Sequence, residues 1–115
     1  MKYFLIILFF ISSYAYSFQD MESKSAKASF EVSGVCDMCK TRIENGAIKL
    51  KGVKYAKWDI PTNNLSIIYN SKKIKLDTIK KNMAKLGHDT DKYKARLEVY
   101  QSLPECCYYK TNSPH

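Results

Sequence analysis

The stretch Gly34-Val35-Cys36-Asp37-Met38-Cys39-Lys40 places two cysteines three residues apart, between an alternating apolar run and a run with helical periodicity. The N–H groups at the start of a helix carry partial positive charge, which favours the thiolate form of a cysteine located there. Thiolates are soft ligands that select Cu(I), Zn²⁺ and similar ions over hard cations. The same spacing also occurs in redox enzymes and structural zinc sites, so the flanking sequence has to distinguish among these.

The segments that flank the cysteines predict a strand followed by a helix. Residues 29–33 alternate, with Phe30 and Val32 on one face, which is typical of a half-buried strand. Residues 37–50 carry apolar side chains at helical spacing. Gly52 is suited to the left-handed conformation that ends many helices. The cysteine pair is therefore expected at a strand-to-helix turn.

The remainder of the chain predicts a hairpin, a second helix and a short last strand. The segments are, in order, strands at 53–60 and 65–69 joined by a turn, a helix at 76–86 and a strand at 88–90. This order is the ferredoxin-like βαββαβ pattern, an α+β sandwich with a four-stranded antiparallel sheet and two helices on one face. Residues 95–100 predict a short final helix that ends before Pro104.

The N-terminus predicts a secretory signal peptide. Lys2 precedes an apolar run over residues 4–11, and Ala15-Tyr16-Ser17 provides the small-residue end of a cleavage site. The apolar run is short for a membrane span, although an uncleaved anchor remains the alternative. An exported, periplasmic protein is expected. The predicted organisation is a signal peptide (1–17), a flexible leader (18–28), a domain (29–91) and a C-terminal extension with a Cys-Cys pair (92–115).

The basic charge of the chain is distributed rather than clustered. After cleavage, 18 Lys and Arg against 11 Asp and Glu leave a net charge of +7. The lysines are scattered and form no arginine-rich cluster, which favours a solvated surface over an anion-binding one. We therefore expect a monomer with no nucleic-acid partner and no stable membrane association after cleavage.

Together, these segments resemble the heavy-metal-associated domain family over residues 29–90. This family includes copper chaperones, N-terminal modules of copper- and zinc-pumping ATPases, and periplasmic mercury-binding proteins. The tail Leu103-Pro104-Glu105-Cys106-Cys107-Tyr108-Tyr109 is similar to one found in exported single-domain members. The residues that carry the resemblance are Phe30-Glu31-Val32-Ser33-Gly34-Val35-Cys36-Asp37-Met38-Cys39, Gly52-Val53, the hairpin over 58–69 and Leu86-Gly87-His88.

The resemblance implies a βαββαβ fold and metal carriage by Cys36 and Cys39. One departure concerns the loop, because the family usually has Gly-Met-x-Cys-x-x-Cys and Gly34-Val35-Cys36 is one residue shorter. The family methionine packs beneath the loop. Either Val35 replaces it, or the loop has a different shape, which bears on metal preference more than on the fold.

Three further residues are candidate ligands beside Cys36 and Cys39. His88 follows the second helix, where bacterial relatives often have tyrosine and where the fold places a loop beside the cysteines. Cys106 and Cys107 are adjacent in sequence and can complete a four-sulfur site or form a second site. Alternatively, they are disulfide partners of the first cysteine pair or a spare pair of thiols. Met38, Asp37 and Lys40 are not expected to be ligands.

The predicted function is that of a metal carrier rather than an enzyme, since no catalytic acid–base pair is visible. Two thiolates suit Cu(I), the first expectation, or Hg²⁺, while Zn²⁺ requires two more ligands. A metal-transporting ATPase or another thiol protein is the expected partner. The main alternative is a periplasmic thiol–disulfide oxidoreductase that uses the same cysteines. A third hypothesis is a basic surface-binding module that does not depend on cysteine.

Overall fold

The computed structural model describes residues 25–115. The predicted signal peptide and most of the predicted leader lie outside these residues. Within residues 25–115, no helix combines the length and the apolar character needed to cross a membrane. The elements are β1 (Ser25–Glu31), α1 (Asp37–Ile48), β2 (Val53–Trp58), β3 (Asn64–Asn70), α2 (Leu76–Lys85), α3 (Leu97–Gln101) and a 3-10 turn (Glu105–Cys107).

The sheet has three strands in the order β1-β3-β2, and both strand pairs are antiparallel. The prediction of four strands is wrong, because the predicted last strand is reduced to one bridge between Val32 and Thr90. The chain turns at once after that bridge. The Thr90 N–H donates to the Tyr93 carbonyl (2.8 Å), and the Tyr93 N–H donates to the Thr90 hydroxyl (2.8 Å). The bridge still lies on the outer edge of β1, where a ferredoxin-like sheet has its fourth strand.

Several element boundaries differ from the prediction by one to four residues. Strand β1 begins at Ser25 rather than residue 29, because Ala26 and Ala28 pair with β3 opposite Tyr69 and Ile67. Part of the predicted flexible leader is therefore strand. Helix α1 ends two residues early and β2 ends at Trp58 rather than residue 60. The predicted final helix is confirmed as α3.

The core lies between the sheet and helices α1 and α2, as the apolar spacing of both helices predicts. Ile43 and Ala47 of α1 and Ile79 and Met83 of α2 are fully buried. Their counterparts on the sheet side are Phe30, Val32, Trp58, Leu65 and Ile67, all in one apolar cluster. The strand-to-helix loop that holds the cysteines lies at one end of this core.

Candidate metal centre

Cys36 and Cys39 occupy the turn between β1 and α1. Cys36 precedes the helix with an extended backbone (φ −145°, ψ 172°), and its carbonyl accepts the first helical bond, from the Lys40 N–H (3.0 Å). Cys39 lies in the first turn, one turn before Ile43, and is fully buried. The two sulfurs are 3.3 Å apart. Both thiols therefore face a common point at the positive end of a helix.

Trp58 fixes the shape of this loop from below. Its indole N–H donates to the Val32 carbonyl (2.9 Å), and its ring lies against Gly34 so closely that a Cβ there would be 2.8 Å from it. Val35 is buried in the core cluster. Of the two interpretations of the shortened loop, the first is therefore favoured, because Val35 is buried in the same apolar cluster as Cys36 and Cys39.

The C-terminal extension folds back onto the loop that follows α2. Gly87 has φ +108°, a conformation that favours glycine, and the Leu103 side chain packs directly over it. The Tyr109 hydroxyl donates to the Gly87 carbonyl (2.7 Å) and accepts from the Asp89 N–H (3.1 Å). These contacts position the 3-10 turn that carries Cys106 and Cys107.

The extension brings two more sulfurs to the cysteine loop. Cys107 is fully buried, with its sulfur 3.4 Å from that of Cys36. The sulfurs of Cys106 and Cys107 are 4.0 Å apart, and Cys36, Cys106 and Cys107 together lie within 4.8 Å of one another. All four cysteines are free thiols. The structure therefore unites the two cysteine pairs that the sequence separates by about 70 residues.

The thiols differ in their tendency to ionise. Burial opposes ionisation of Cys36, but hydrogen bonds from the Cys39 backbone and from the Cys39 and Cys107 thiols outweigh it and lower the pKa of Cys36. Burial raises the pKa of Cys39. Burial, reinforced by the neighbouring thiols, raises the pKa of Cys106 and that of Cys107 to about 11. Cys36 is thus the first thiolate of the cluster.

Arg42 is a contributor that the sequence reasoning missed. Its guanidinium donates to the Cys107 sulfur (3.4 Å) and opposes the rise in the pKa of that thiol. One indication of this role was present in the sequence, since Arg42 lies one helical turn after Cys39 and therefore on the same face of α1. Its partner Cys107 is remote in sequence, so the contact was not predictable without the fold.

His88 is fully buried but makes no hydrogen bond to sulfur within residues 25–115. Its Nδ1 lies 2.8 Å from the Ser33 carbonyl, so Nδ1 carries the proton and Nε2 is the unprotonated nitrogen. Nε2 has no hydrogen-bond partner among these residues. Burial lowers the pKa of His88 to about 4. As a metal ligand His88 stays a prediction, while the structure shows it bridging two loops of the core.

Comparison with known proteins agrees with this geometry. A family model for the heavy-metal-associated domain matches residues 29–89. No curated protein matched the chain significantly. Among solved structures, the N-terminal domain of a potential copper-translocating P-type ATPase from Bacillus subtilis, in the Cu(I)-loaded state, is 28% identical, with a TM-score of 0.55, over 63% of this chain and 99% of that one.

Two other solved structures show the same fold at lower identity. The CopZ metallochaperone is 23% identical, with a TM-score of 0.55, over 56% of this chain and 98% of that one. Oxidized MerP from Ralstonia metallidurans CH34 is 18% identical, with a TM-score of 0.56, over 58% of this chain and 94% of that one. The family match spans more than half of the chain and contains Cys36, Cys39 and His88. The chain belongs to the heavy-metal-associated domain family.

Proposed function

We propose that this protein carries a thiophilic metal ion, Cu(I) first among them, on a buried three-thiolate site formed by Cys36, Cys39 and Cys107. The observation that carries the proposal is the sulfur geometry, with Cys36 3.3 Å from Cys39 and 3.4 Å from Cys107. A metal–sulfur bond of about 2.3 Å places neighbouring sulfurs about 3.8 to 4.0 Å apart in tetrahedral or trigonal sites. The two pairs that Cys36 forms are close to this spacing, so small side-chain rotations let each pair share an ion, and Cys36 joins Cys39 to Cys107.

The charges around the site fit a cation held by thiolates. The start of α1 faces the Cys36–Cys39 pair, and Arg42 contacts Cys107. Each thiol loses its proton to solvent when it binds the ion, so a third thiolate leaves an excess of negative charge on the site. Arg42 offsets part of that charge, which supports Cys107 as the third ligand.

Transfer would proceed by ligand exchange. A thiolate of the partner attacks the bound ion while one ligand of this protein leaves, so the ion is not released to water. The expected partner is a metal-transporting ATPase or another thiol protein, and the similarity to the domain of a potential copper-translocating ATPase supports this choice. We also propose export to the periplasm, on the basis of the N-terminal sequence pattern.

Native mass spectrometry of the reduced protein with Cu(I) and a competing chelator tests this function. We expect one tightly bound Cu(I), lost when Cys36 and Cys39 are both replaced by serine, with an unchanged circular dichroism spectrum. A Cys36→Ser/Cys39→Ser variant that still competes with the chelator contradicts the assignment. Catalytic reduction of a disulfide substrate by the metal-free protein would instead favour the oxidoreductase, for which the family match offers no support.

A further inference from the structure

We propose that Met38 and Cys106 form a second, outer position for a soft monovalent ion, which fills after the buried site. This inference rests on the proposed function and extends it to the surface of the same sulfur cluster. Met38 was not expected to be a ligand from the sequence. The structure changes that interpretation, because the Met38 thioether sulfur lies 3.3 Å from the Cys106 sulfur.

Five sulfurs form a continuous series from the surface to the core. The successive separations are 3.3 Å from Met38 to Cys106, 4.0 Å from Cys106 to Cys107, 3.4 Å from Cys107 to Cys36 and 3.3 Å from Cys36 to Cys39. Each step is short enough for neighbouring sulfurs to share an ion. The outer pair is thus connected to the proposed inner site rather than isolated from it.

Exposure is greatest at the Met38 end of the series and small at the three inner cysteines. The Met38 side chain is 51% exposed, Cys106 is partly buried, and Cys107 and Cys39 are fully buried. Exposure of the apolar Met38 side chain to water is unfavourable unless another group covers it. A solvated ion can reach Met38 and Cys106 directly, whereas the inner thiols lie behind them.

The two ligand types, a thioether and a thiolate, determine which ions this position prefers. A thioether is neutral and soft, so with a single thiolate it suits Cu(I) or Ag(I) and is a poor partner for Mg²⁺ or Ca²⁺. Binding releases the Cys106 proton to solvent and leaves a neutral thiolate–thioether complex of a monovalent ion. Such a two-ligand position is weaker than three thiolates, and it presents its ion where the thiol of a partner can reach it.

Ag(I), which needs no reductant, is the probe for the full reduced chain. We expect two Ag(I) to bind, with the first at the inner thiolates and the second shifting the ¹³C-methyl resonance of Met38. Met83, fully buried in the core, is the internal control and should not shift with the second equivalent. Met38→Leu should weaken the second equivalent at least 10-fold and leave the first unchanged, and Cys106→Ser should also weaken the second equivalent at least 10-fold. Met83→Leu should leave the binding of both equivalents unchanged.

The outcomes separate the two proposals. If the first Ag(I) binds tightly but Met38→Leu leaves the second equivalent unchanged, or the Met38 resonance does not move with it, the outer position is wrong and the carrier function stands. If no Ag(I) binds tightly to the wild-type chain, the proposed function itself fails, and the outer position fails with it.

Discussion

Single residues set the chemistry of the cluster, and Arg42 is the clearest case. It is a cation placed against the Cys107 sulfur (3.4 Å), at a site where three thiolates would otherwise repel one another. A hydrogen bond that involves a charged group contributes about 1.5–3 kcal/mol, and less where solvent screens it. We assign the effect of Arg42 on Cys107 to its positive charge rather than to the shape of its side chain.

Replacement of Arg42 by glutamine should therefore weaken Cu(I) binding about 5- to 10-fold, equivalent to about 1 kcal/mol. Arg42→Lys is the matched control and should retain most of the affinity, because it keeps the charge. Chelator competition under reducing conditions measures both variants. Equal Cu(I) affinities for the glutamine variant and the wild type would show that Arg42 does not stabilise the Cu(I)-bound protein.

His88 links stability to pH in the weakly acidic range. Its folded pKa of about 4 lies below the ordinary 6.5, so the folded protein keeps the neutral ring while the unfolded chain takes up a proton. The contribution of His88 to stability is full above pH 6.5 and is lost as the pH drops from 6.5 to about 4, by at most about 1.4 kcal/mol per pH unit.

His88→Asn tests this link, since the asparagine amide can still donate to the Ser33 carbonyl but cannot titrate. Urea unfolding of the metal-free protein at several pH values should give a shallower pH dependence for the variant between pH 6.5 and 4. Parallel curves for the two proteins in that range would remove His88 as the cause.

At the scale of elements, the loop before α1 depends on its contact with Trp58. A methyl group at Gly34 would lie 2.8 Å from the indole ring and 3.1 Å from the Cys39 Cβ. Gly34→Ala should therefore destabilise the protein by about 1–3 kcal/mol, as overpacking does, and displace the thiols. Thermal unfolding and Cu(I) affinity measure the two effects.

Gly46 provides the matched control within α1. A methyl group there would overlap the Cδ1 atom at the far end of the Leu86 side chain, which can rotate away, whereas the Trp58 ring cannot. Alanine also has the higher helix propensity, by up to about 1 kcal/mol. Gly46→Ala should be neutral or stabilising and should leave Cu(I) affinity unchanged. If both alanine variants behave alike, the contact with Trp58 does not define the loop.

The sequence predicted the helices and the hairpin because their cores depend on local spacing, such as Ile79 and Met83 one turn apart. It did not predict the loss of the fourth strand, which depends on the turn that Thr90 makes with Tyr93. Nor did it predict the Ser25 start of β1, which is set by pairing with β3. Long-range pairing, rather than local pattern, decided both.

The candidate site also has one part that the local sequence predicts and another part that depends on the fold. Cys36 and Cys39 are evident from a local motif, and the approach of Cys106 and Cys107 was anticipated only as one of several arrangements. The contact between Met38 and Cys106 joins residues 68 positions apart and follows from the docking of the extension. No spacing rule within the sequence encodes that contact.

At the scale of the whole molecule, the C-terminal extension docks onto the domain and brings Cys106 and Cys107 to the cysteine loop. Tyr109 attaches the part of the extension next to the cysteines, with one hydrogen bond to Gly87 and one to Asp89. Tyr108, by contrast, donates to the Gln101 carbonyl within the extension itself (3.0 Å). The two tyrosines therefore separate docking of the extension from its internal structure.

Tyr109→Phe should loosen the docked extension by about 1–2 kcal/mol, because it removes two hydrogen bonds at once. Local opening would then be about 5- to 30-fold more frequent, and alkylation of the buried Cys107 thiol should accelerate by a similar factor. Tyr108→Phe is the control and should alkylate at close to the wild-type rate. Equal acceleration in both variants would indicate general loosening rather than undocking.

The central claim is that the cysteine loop and the extension supply one metal site together. X-ray absorption spectroscopy of the reduced protein with one equivalent of Cu(I) tests this most directly, because it counts the sulfur neighbours of the ion. We expect three sulfur neighbours in the wild type and two in Cys106→Ser/Cys107→Ser, which lacks both thiols of the extension. An unchanged sulfur count in that double variant, or nitrogen or oxygen neighbours in the wild type, would contradict the claim.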